Sequence, residues 1–165
     1  MSTIVVLDNI RSCYNVGAIF RTADAVGVEK IYLLGSTPAP IDRFGREDTK
    51  IAKTSLGATR TVSWEPVGQA DEWSTDAGVT LLRDLQAKGY AVQAVEQTPT
   101  SVPLASVPVP PLVVYVFGAE VEGVQEALLQ TADVIMELPM AGQKESLNVS
   151  VTAGIVLYKG VLEKG

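Results

Sequence analysis

At 165 residues and 47% hydrophobic, the chain has the length and apolar content of one domain with a substantial core, and residues 1–165 are expected to form a single domain. It contains no histidine and a single cysteine, Cys13, which excludes Ser-His-Asp hydrolysis, Cys-His proteolysis, His-ligated zinc, intrachain disulfides and cysteine-rich metal sites. The net charge of −6 argues against a polyanion partner, but its distribution is uneven: residues 1–60 carry 8 Lys/Arg against 6 Asp/Glu, and residues 61–143 carry 2 against 11.

Thr3 to Leu7 reads as a short buried strand of β-branched residues, followed by a polar loop through Asn15. Ala18, Ile19, Ala23 and Val26 fall near helical spacing over Gly17–Val26, with Asn15 or a neighbour as cap and Gly27 as stop signal. Ile31–Leu34 is a second strand, Pro38, Pro40 and Gly45 make an irregular stretch, and a basic helix follows over Asp48–Ser55. Further elements are a strand near Thr61–Trp64, a helix over Ser74–Ala87 with Val79, Leu82 and Leu85 on one face, and a strand over Tyr90–Val95. Five of the nine prolines then lie between Pro99 and Pro111, an ordered crossover loop with a short turn at Leu104–Val107. Leu112–Phe117 is the most apolar strand and suits the middle of a sheet. A short helix over Val124–Gln130, a strand over Val134–Glu137 and a helix over Ser146–Leu162 complete an α/β pattern with a mainly parallel sheet and flanking helices. No apolar run approaches the ~20 residues of a membrane helix, and the N-terminus lacks signal-peptide character, so a cytoplasmic location is expected.

Such folds usually bind nucleotides at a Gly-x-Gly-x-x-Gly turn after the first strand, but Leu7 here leads into Asp8-Asn9-Ile10-Arg11. The glycine turns come late, at Gly118, Gly123 and Gly142. Three blocks carry the remaining signal. They are Asn15-Val16-Gly17-Ala18-Ile19-Phe20-Arg21-Thr22-Ala23, then Phe117-Gly118-Ala119-Glu120-Val121-Glu122-Gly123, and finally Leu138-Pro139-Met140-Ala141-Gly142 followed by Ser146-Leu147-Asn148-Val149-Ser150-Val151. In this order they resemble the three motifs of the SpoU-type RNA 2′-O-ribose methyltransferases of the SPOUT superfamily. The resemblance runs from about Ile4 to Lys159.

The resemblance implies a C-terminal trefoil knot whose loops hold S-adenosylmethionine, and transfer of its methyl group to a ribose 2′-hydroxyl. It assigns Arg21, Asn15, Glu120, Ser146 and Asn148 to the catalytic set, and Val95, Gly118, Leu138, Met140, Ser146 and Leu147 to the cofactor. Arg21 would approach the ribose and its phosphate. A guanidinium stays protonated in ordinary settings, so positioning and stabilisation of the developing alkoxide fit it better than general-base work. Asn15 would fix the loop bearing that arginine, and Glu120 would orient it. Glu122, at a variable position of the motif, reads as a solvated charge.

RNA is the implied partner, with tRNA preferred and ribosomal RNA or a non-catalytic RNA-binding role as alternatives. Arg43, Arg46, Lys50 and Lys53, with Arg11, form the basic stretch expected to hold it, because phosphate contacts act locally over a Debye length of roughly 8–10 Å. A homodimer is expected, since so small a domain takes part of its substrate surface from a second copy.

Overall fold

The computed structural model describes residues 1–68 and 75–163. Seven parallel strands, β1 (Ser2–Asp8), β2 (Lys30–Leu34), β3 (Ser63–Val67), β4 (Ala91–Val95), β5 (Val102–Pro103), β6 (Leu112–Gly118) and β7 (Val134–Glu137), form one sheet. Their order is β3-β2-β1-β6-β4-β7-β5, with every pairing parallel. The expected central strand is central: β6 lies between β1 and β4, and five of its seven residues are buried. Among the described strands proline occurs only at the two edges, at Pro66 of β3 and Pro103 of β5, where a missing N–H costs no ladder bond on the open side.

Alternation along the strands divides the core into two layers. Val5, Leu7, Tyr115 and Phe117 face α1 (Cys13–Val26) and α5 (Val149–Leu162), meeting Val16, Ile19, Phe20, Ala153 and Val156. Ile4, Val6, Val114 and Val116 face the other way, onto Leu82 and Leu85 of α3 (Thr75–Ala87) and Leu128 and Leu129 of α4 (Glu126–Thr131). Both faces of the sheet are covered, as an all-parallel sheet requires. Among the described residues no helix is long and apolar enough to cross a membrane.

Several boundaries differ from the sequence reading, each for a local reason. The first helix begins at Cys13, because the Ser12 hydroxyl, not Asn15, accepts the first-turn N–H, that of Asn15 at 3.3 Å. The basic helix α2 (Thr49–Ser55) is capped by Asp48, whose carboxylate accepts from the N–H groups of Lys50 and Ile51 at 2.9 Å. A 3-10 turn occupies Ala58–Arg60, delaying the next strand to Ser63. The last helix begins at Val149, not Ser146, because the Asn148 side chain accepts from the Ser150 N–H at 2.8 Å. Ser74, the expected start of α3, lies outside the described residues.

Gly17 explains how α1 and α2 pack. A Cβ built on it would collide with Thr54 Oγ1 and lie 2.5 Å from the Ile51 carbonyl oxygen. The bare glycine lets the helices touch, and Thr54 Oγ1 donates to the Tyr14 carbonyl at 3.0 Å across that contact.

Candidate active site

Parallel strands point their C-terminal ends to one edge of the sheet, where open α/β folds bind ligands. At that edge the ends of β4, β6 and β7 frame a cleft lined by Val95, Phe117, Gly118, Glu137 and Leu138. Met140, Ser146 and Leu147, from the loop leading to α5, complete its wall together with Val149 and Thr152. All six residues assigned to the cofactor by resemblance therefore meet in one cleft, and Glu120 lies on its rim.

The three motif blocks join at a triangle of side chains. Asn15 Nδ2 donates to Glu120 Oε1 at 3.0 Å, while Asn148 Nδ2 donates to Asn15 Oδ1 at 3.1 Å and reaches Glu120 Oε1 at 3.4 Å. The Asn148 amide has a fixed orientation, because its Oδ1 accepts from the Ser150 N–H at 2.8 Å and the Ser150 hydroxyl at 2.6 Å. One residue thus caps α5 and ties the first motif to the second. Glu120 was expected to orient Arg21; it binds Asn15 and Asn148 instead. Arg21 stands on the exposed side of α1 and does not line the cleft. Ser146 is exposed at the cleft's edge.

Gly118 lines the cleft and also has a packing role. A Cβ there would run into the peptide joining Gly123 to Val124, so the second motif can fold back on itself only over a glycine. That fold-back is closed by the Gly123 N–H donating to the Ala119 carbonyl at 2.9 Å, with Gly123 at φ 71°.

Sequence reasoning missed the residues that hold this loop from outside. Glu96, directly after β4, accepts from the Val124 N–H at 2.9 Å and from the Gln97 N–H at 2.9 Å. Gln97 Nε2 donates to the Glu145 carbonyl at 2.9 Å, fastening the third-motif loop to the same strand end. A polar pair at the C-terminal end of a strand was the available signal. Asp8, at the end of β1, is fully buried and accepts from Gln125 N at 2.8 Å, Gln125 Nε2 at 2.6 Å and Asn9 Nδ2 at 3.0 Å. These donors favour the ionised form, yet burial outweighs them and raises its pKa above the ordinary 3.8.

The cleft's chemistry is selective. Apolar walls of Val95, Phe117, Leu138, Met140, Leu147 and Val149 combine with the carboxylates of Glu96, Glu120 and Glu137, and no Lys or Arg is among the described residues that line it. Such a site disfavours a phosphate-bearing dinucleotide and suits a ligand with a flat apolar ring and positive charge.

A second hollow shares Ala119, Glu120 and Val149 with the cleft and extends over Asn9, Ile10, Arg11, Ser12 and Asn15. Arg11 is paired there with Glu122 at 3.0 Å, so this cation is not free and Glu122 is not a lone solvated charge. The other basic residues stand apart, on a loop and on α2. Arg46 binds Asp42 through Nε at 2.8 Å, Arg43 stacks on Phe44, and Lys50 and Lys53 are exposed. Cys13 Sγ lies 3.5 Å from Asp48 Oδ2, which brings the starts of α1 and α2 together.

Residues 2–158 match the SpoU rRNA Methylase family. The chain is 33% identical over 162 residues to the 23S rRNA (guanosine-2′-O-)-methyltransferase RlmB of Ralstonia nicotianae, covering 98% of this chain and 59% of that protein. It is 32% identical over 157 residues to the tRNA (guanosine(18)-2′-O)-methyltransferase of Aquifex aeolicus, covering 94% of this chain and 67% of that protein. Among solved structures, the AdoMet-bound rRNA methyltransferase of Sinorhizobium meliloti superposes with a TM-score of 0.83 at 27% identity, over 98% of this chain and 56% of that one. The chain thus spans about three fifths of the length of the Ralstonia protein.

Proposed function

Because that match spans nearly its whole length, the chain belongs to the SpoU family, and we propose that it transfers the methyl group of S-adenosylmethionine to a ribose 2′-hydroxyl of RNA, acting as a single catalytic domain. The observation that carries this reading is the meeting of Asn15, Glu120 and Asn148 beside an apolar, carboxylate-rimmed cleft. S-adenosylmethionine brings an adenine and a sulfonium cation, which fit those walls, and its electrophilic methyl group needs neither metal nor histidine. Val95, Leu138, Met140 and Leu147 would enclose the adenine, with Gly118 and Ser146 close to the rest of the molecule. The hollow beside Asn15 and Arg11 is where the ribose would enter, and Asn148 with Glu120 would place its hydroxyl. Arg21 lines neither hollow and takes its role from the family resemblance alone, by which it would stabilise the developing alkoxide and hold the adjoining phosphate.

The similar proteins include one named for ribosomal RNA and one named for transfer RNA, so the preference for tRNA gains no support and the substrate is RNA of either class. Two further parts of the reading concern architecture. The crossover from β4 through β5 to β6 passes the far side of β7 before returning, an order that supports reading the C-terminal segment as threaded into a trefoil knot. Secondly, α5 is apolar on its outward side as well as its inward one: Val151, Ile155, Tyr158 and Leu162, spaced four, three and four apart, are 49%, 43%, 44% and 76% exposed. A second copy covering that stripe gives a homodimer.

Labelled methyl transfer to unmodified RNA, run beside calorimetry with S-adenosylmethionine, tests the reading. The wild-type chain should bind the cofactor and label RNA on ribose, and Arg21→Ala should bind the cofactor while labelling fails. Well-folded protein that binds no S-adenosylmethionine, with or without RNA, refutes it.

A further inference from the structure

Between β2 and α2 the chain makes a closed loop whose tip is an aromatic ring held in water. Ile41 bridges Glu47 in antiparallel fashion, and the Asp42 N–H donates to the Arg46 carbonyl at 2.9 Å. Inside that closure the Asp42 carboxylate organises the turn. Its Oδ1 accepts from the N–H groups of Phe44 at 2.8 Å and Arg46 at 3.0 Å, and its Oδ2 accepts from Arg46 Nε at 2.8 Å. Gly45, at φ 76°, takes the left-handed position that completes the turn. Phe44 is left 68% exposed.

A single exposed apolar side chain is ordinary and needs no explanation. This one differs in two respects. Its backbone is fixed by Asp42, so the ring is presented without the entropy loss that a floppy loop would incur on binding. Its ring also carries two guanidiniums, Arg43 at 4.9 Å and Arg46 at 5.1 Å from the centroid, with Lys50 and Lys53 following on α2. Arg46 is held by Asp42 at 2.7 Å, whereas Arg43 makes no ion pair among the described residues and can leave the ring for a phosphate.

We propose that Phe44 is a stacking platform for an unpaired nucleobase of the RNA strand, with Arg43 exchanging its place on the ring for the neighbouring phosphate. This rests on the reading of the protein as an RNA-acting enzyme and narrows it. A base can stack on a side chain only when it is splayed out of a helix, so the substrate must present single-stranded nucleotides where it meets this loop. Stacking on an aromatic ring tolerates any base, since each has a π-face, so Phe44 contributes affinity and register and leaves sequence choice to other residues.

The test uses the full chain, a 12-nucleotide single-stranded RNA containing 2-aminopurine, and the same strand annealed to its complement. The wild-type protein should prefer the single strand and quench the 2-aminopurine. Phe44→Ala should weaken single-strand binding by about 5- to 150-fold, the range found when a base-stacking aromatic is removed, and abolish the quench. Phe44→Trp should restore both and Phe44→Leu neither, because the requirement is for a π-face and not for apolar volume. Phe44→Ala should leave the salt slope unaltered, while Arg43→Ala should lower it by about 0.7, one phosphate on a single strand. Since Phe44 is exposed, thermal melts of these variants should match the wild type. Equal affinity of Phe44→Ala and wild type for the single strand, or equal binding of duplex and single strand, overturns the proposal. Failure of the wider reading looks different: the wild type would transfer no methyl group to RNA even where Phe44-dependent quenching persists.

Discussion

Replacing Gly17 by alanine sets two effects of opposite sign against each other. In the interior of α1 the substitution should help, because alanine exceeds glycine in helix propensity by about 0.8–1 kcal/mol. Against this, the new methyl would lie 2.5 Å from the Ile51 carbonyl oxygen and collide with Thr54 Oγ1. The hydroxyl can rotate away, at the expense of its 3.0 Å bond to the Tyr14 carbonyl, worth about 0.5–1.5 kcal/mol. The Ile51 carbonyl is backbone of a formed helix and cannot move alone, so α1 and α2 must separate, and overpacking of this kind costs about 1–3 kcal/mol. The clash wins, for a net loss of about 1–3 kcal/mol, or about 2–12 °C in Tm at this chain length. Urea and thermal unfolding of Gly17→Ala, Thr54→Ala and the double variant measure it. Thr54→Ala should recover only the hydroxyl's share, leaving the carbonyl contact. Because α2 carries Lys50 and Lys53 while the cleft lies on other elements, KM for RNA should rise more than the Kd for S-adenosylmethionine. If Gly17→Ala melts at or above the wild-type temperature, the two helices do not approach as described and the reasoning fails.

Neutralising Arg46, Lys50 and Lys53 together should weaken RNA binding and flatten its salt dependence while cofactor affinity stays unchanged, as titrations at several salt concentrations would show; an unchanged salt slope places the RNA elsewhere. Asn148→Asp should keep α5 capped, since aspartate accepts from the Ser150 N–H as asparagine does, yet it removes the donor to Asn15 and sets a second carboxylate against Glu120. Methyl transfer should then fall by at least about 100-fold with Tm within a few degrees of wild type, and retained activity would break the link between the triangle and catalysis. Burial raises the Asp8 pKa, so as pH climbs above 3.8 the unfolded chain ionises while native Asp8 still holds its proton, and this residue's contribution to stability falls as pH rises through that window. Unfolding free energies across acid pH should show that loss in the wild type and a flatter profile in Asp8→Asn; identical slopes would remove Asp8 as its source.

The elements were legible because their signals are local: β-branched runs, Gly27 after a periodic helix, the lysines clustered over Asp48–Ser55. The middle position of β6 was legible for the same reason, as an unbroken apolar run tolerates only burial on both faces. Strand order was not legible, since nothing within β7 says that it enters between β4 and β5. Within the site, the motifs identify Asn15, Glu120 and Asn148 as important but not as partners of one another. Asn148 and Asn15 are 133 residues apart, and Asp8 and Gln125 are 117 apart. Local pattern also favoured Ser146 as the start of the last helix, but a cap is decided by which side chain reaches the first free N–H, and Asn148 reaches it. The sequence reading assigned Gly118 to the cofactor and gave Gly17 no packing role. A glycine beside a ligand and a glycine beneath another peptide look alike until the overlying atoms are placed.

The charge of the chain follows from the same arrangement. The proposed action on RNA and a net charge of −6 look inconsistent only if charge is averaged. Three of the acidic residues between 61 and 143, Glu96, Glu120 and Glu137, line the cleft, where negative potential favours a sulfonium. Each is also engaged in structure: Glu96 holds Val124, Glu120 holds Asn15, and Glu137 accepts from the Ser101 hydroxyl at 2.7 Å. The cations concentrate instead on the loop and helix between Arg43 and Arg60, before the first cleft residue in the chain. On the proposed reading, opposite ligands would therefore meet opposite fields on one small domain. RNA phosphates would bind the basic stretch and a cationic cofactor the cleft carboxylates, and at ionic strengths where the Debye length is about 8 Å each attraction acts locally, so the two ligands need not oppose one another.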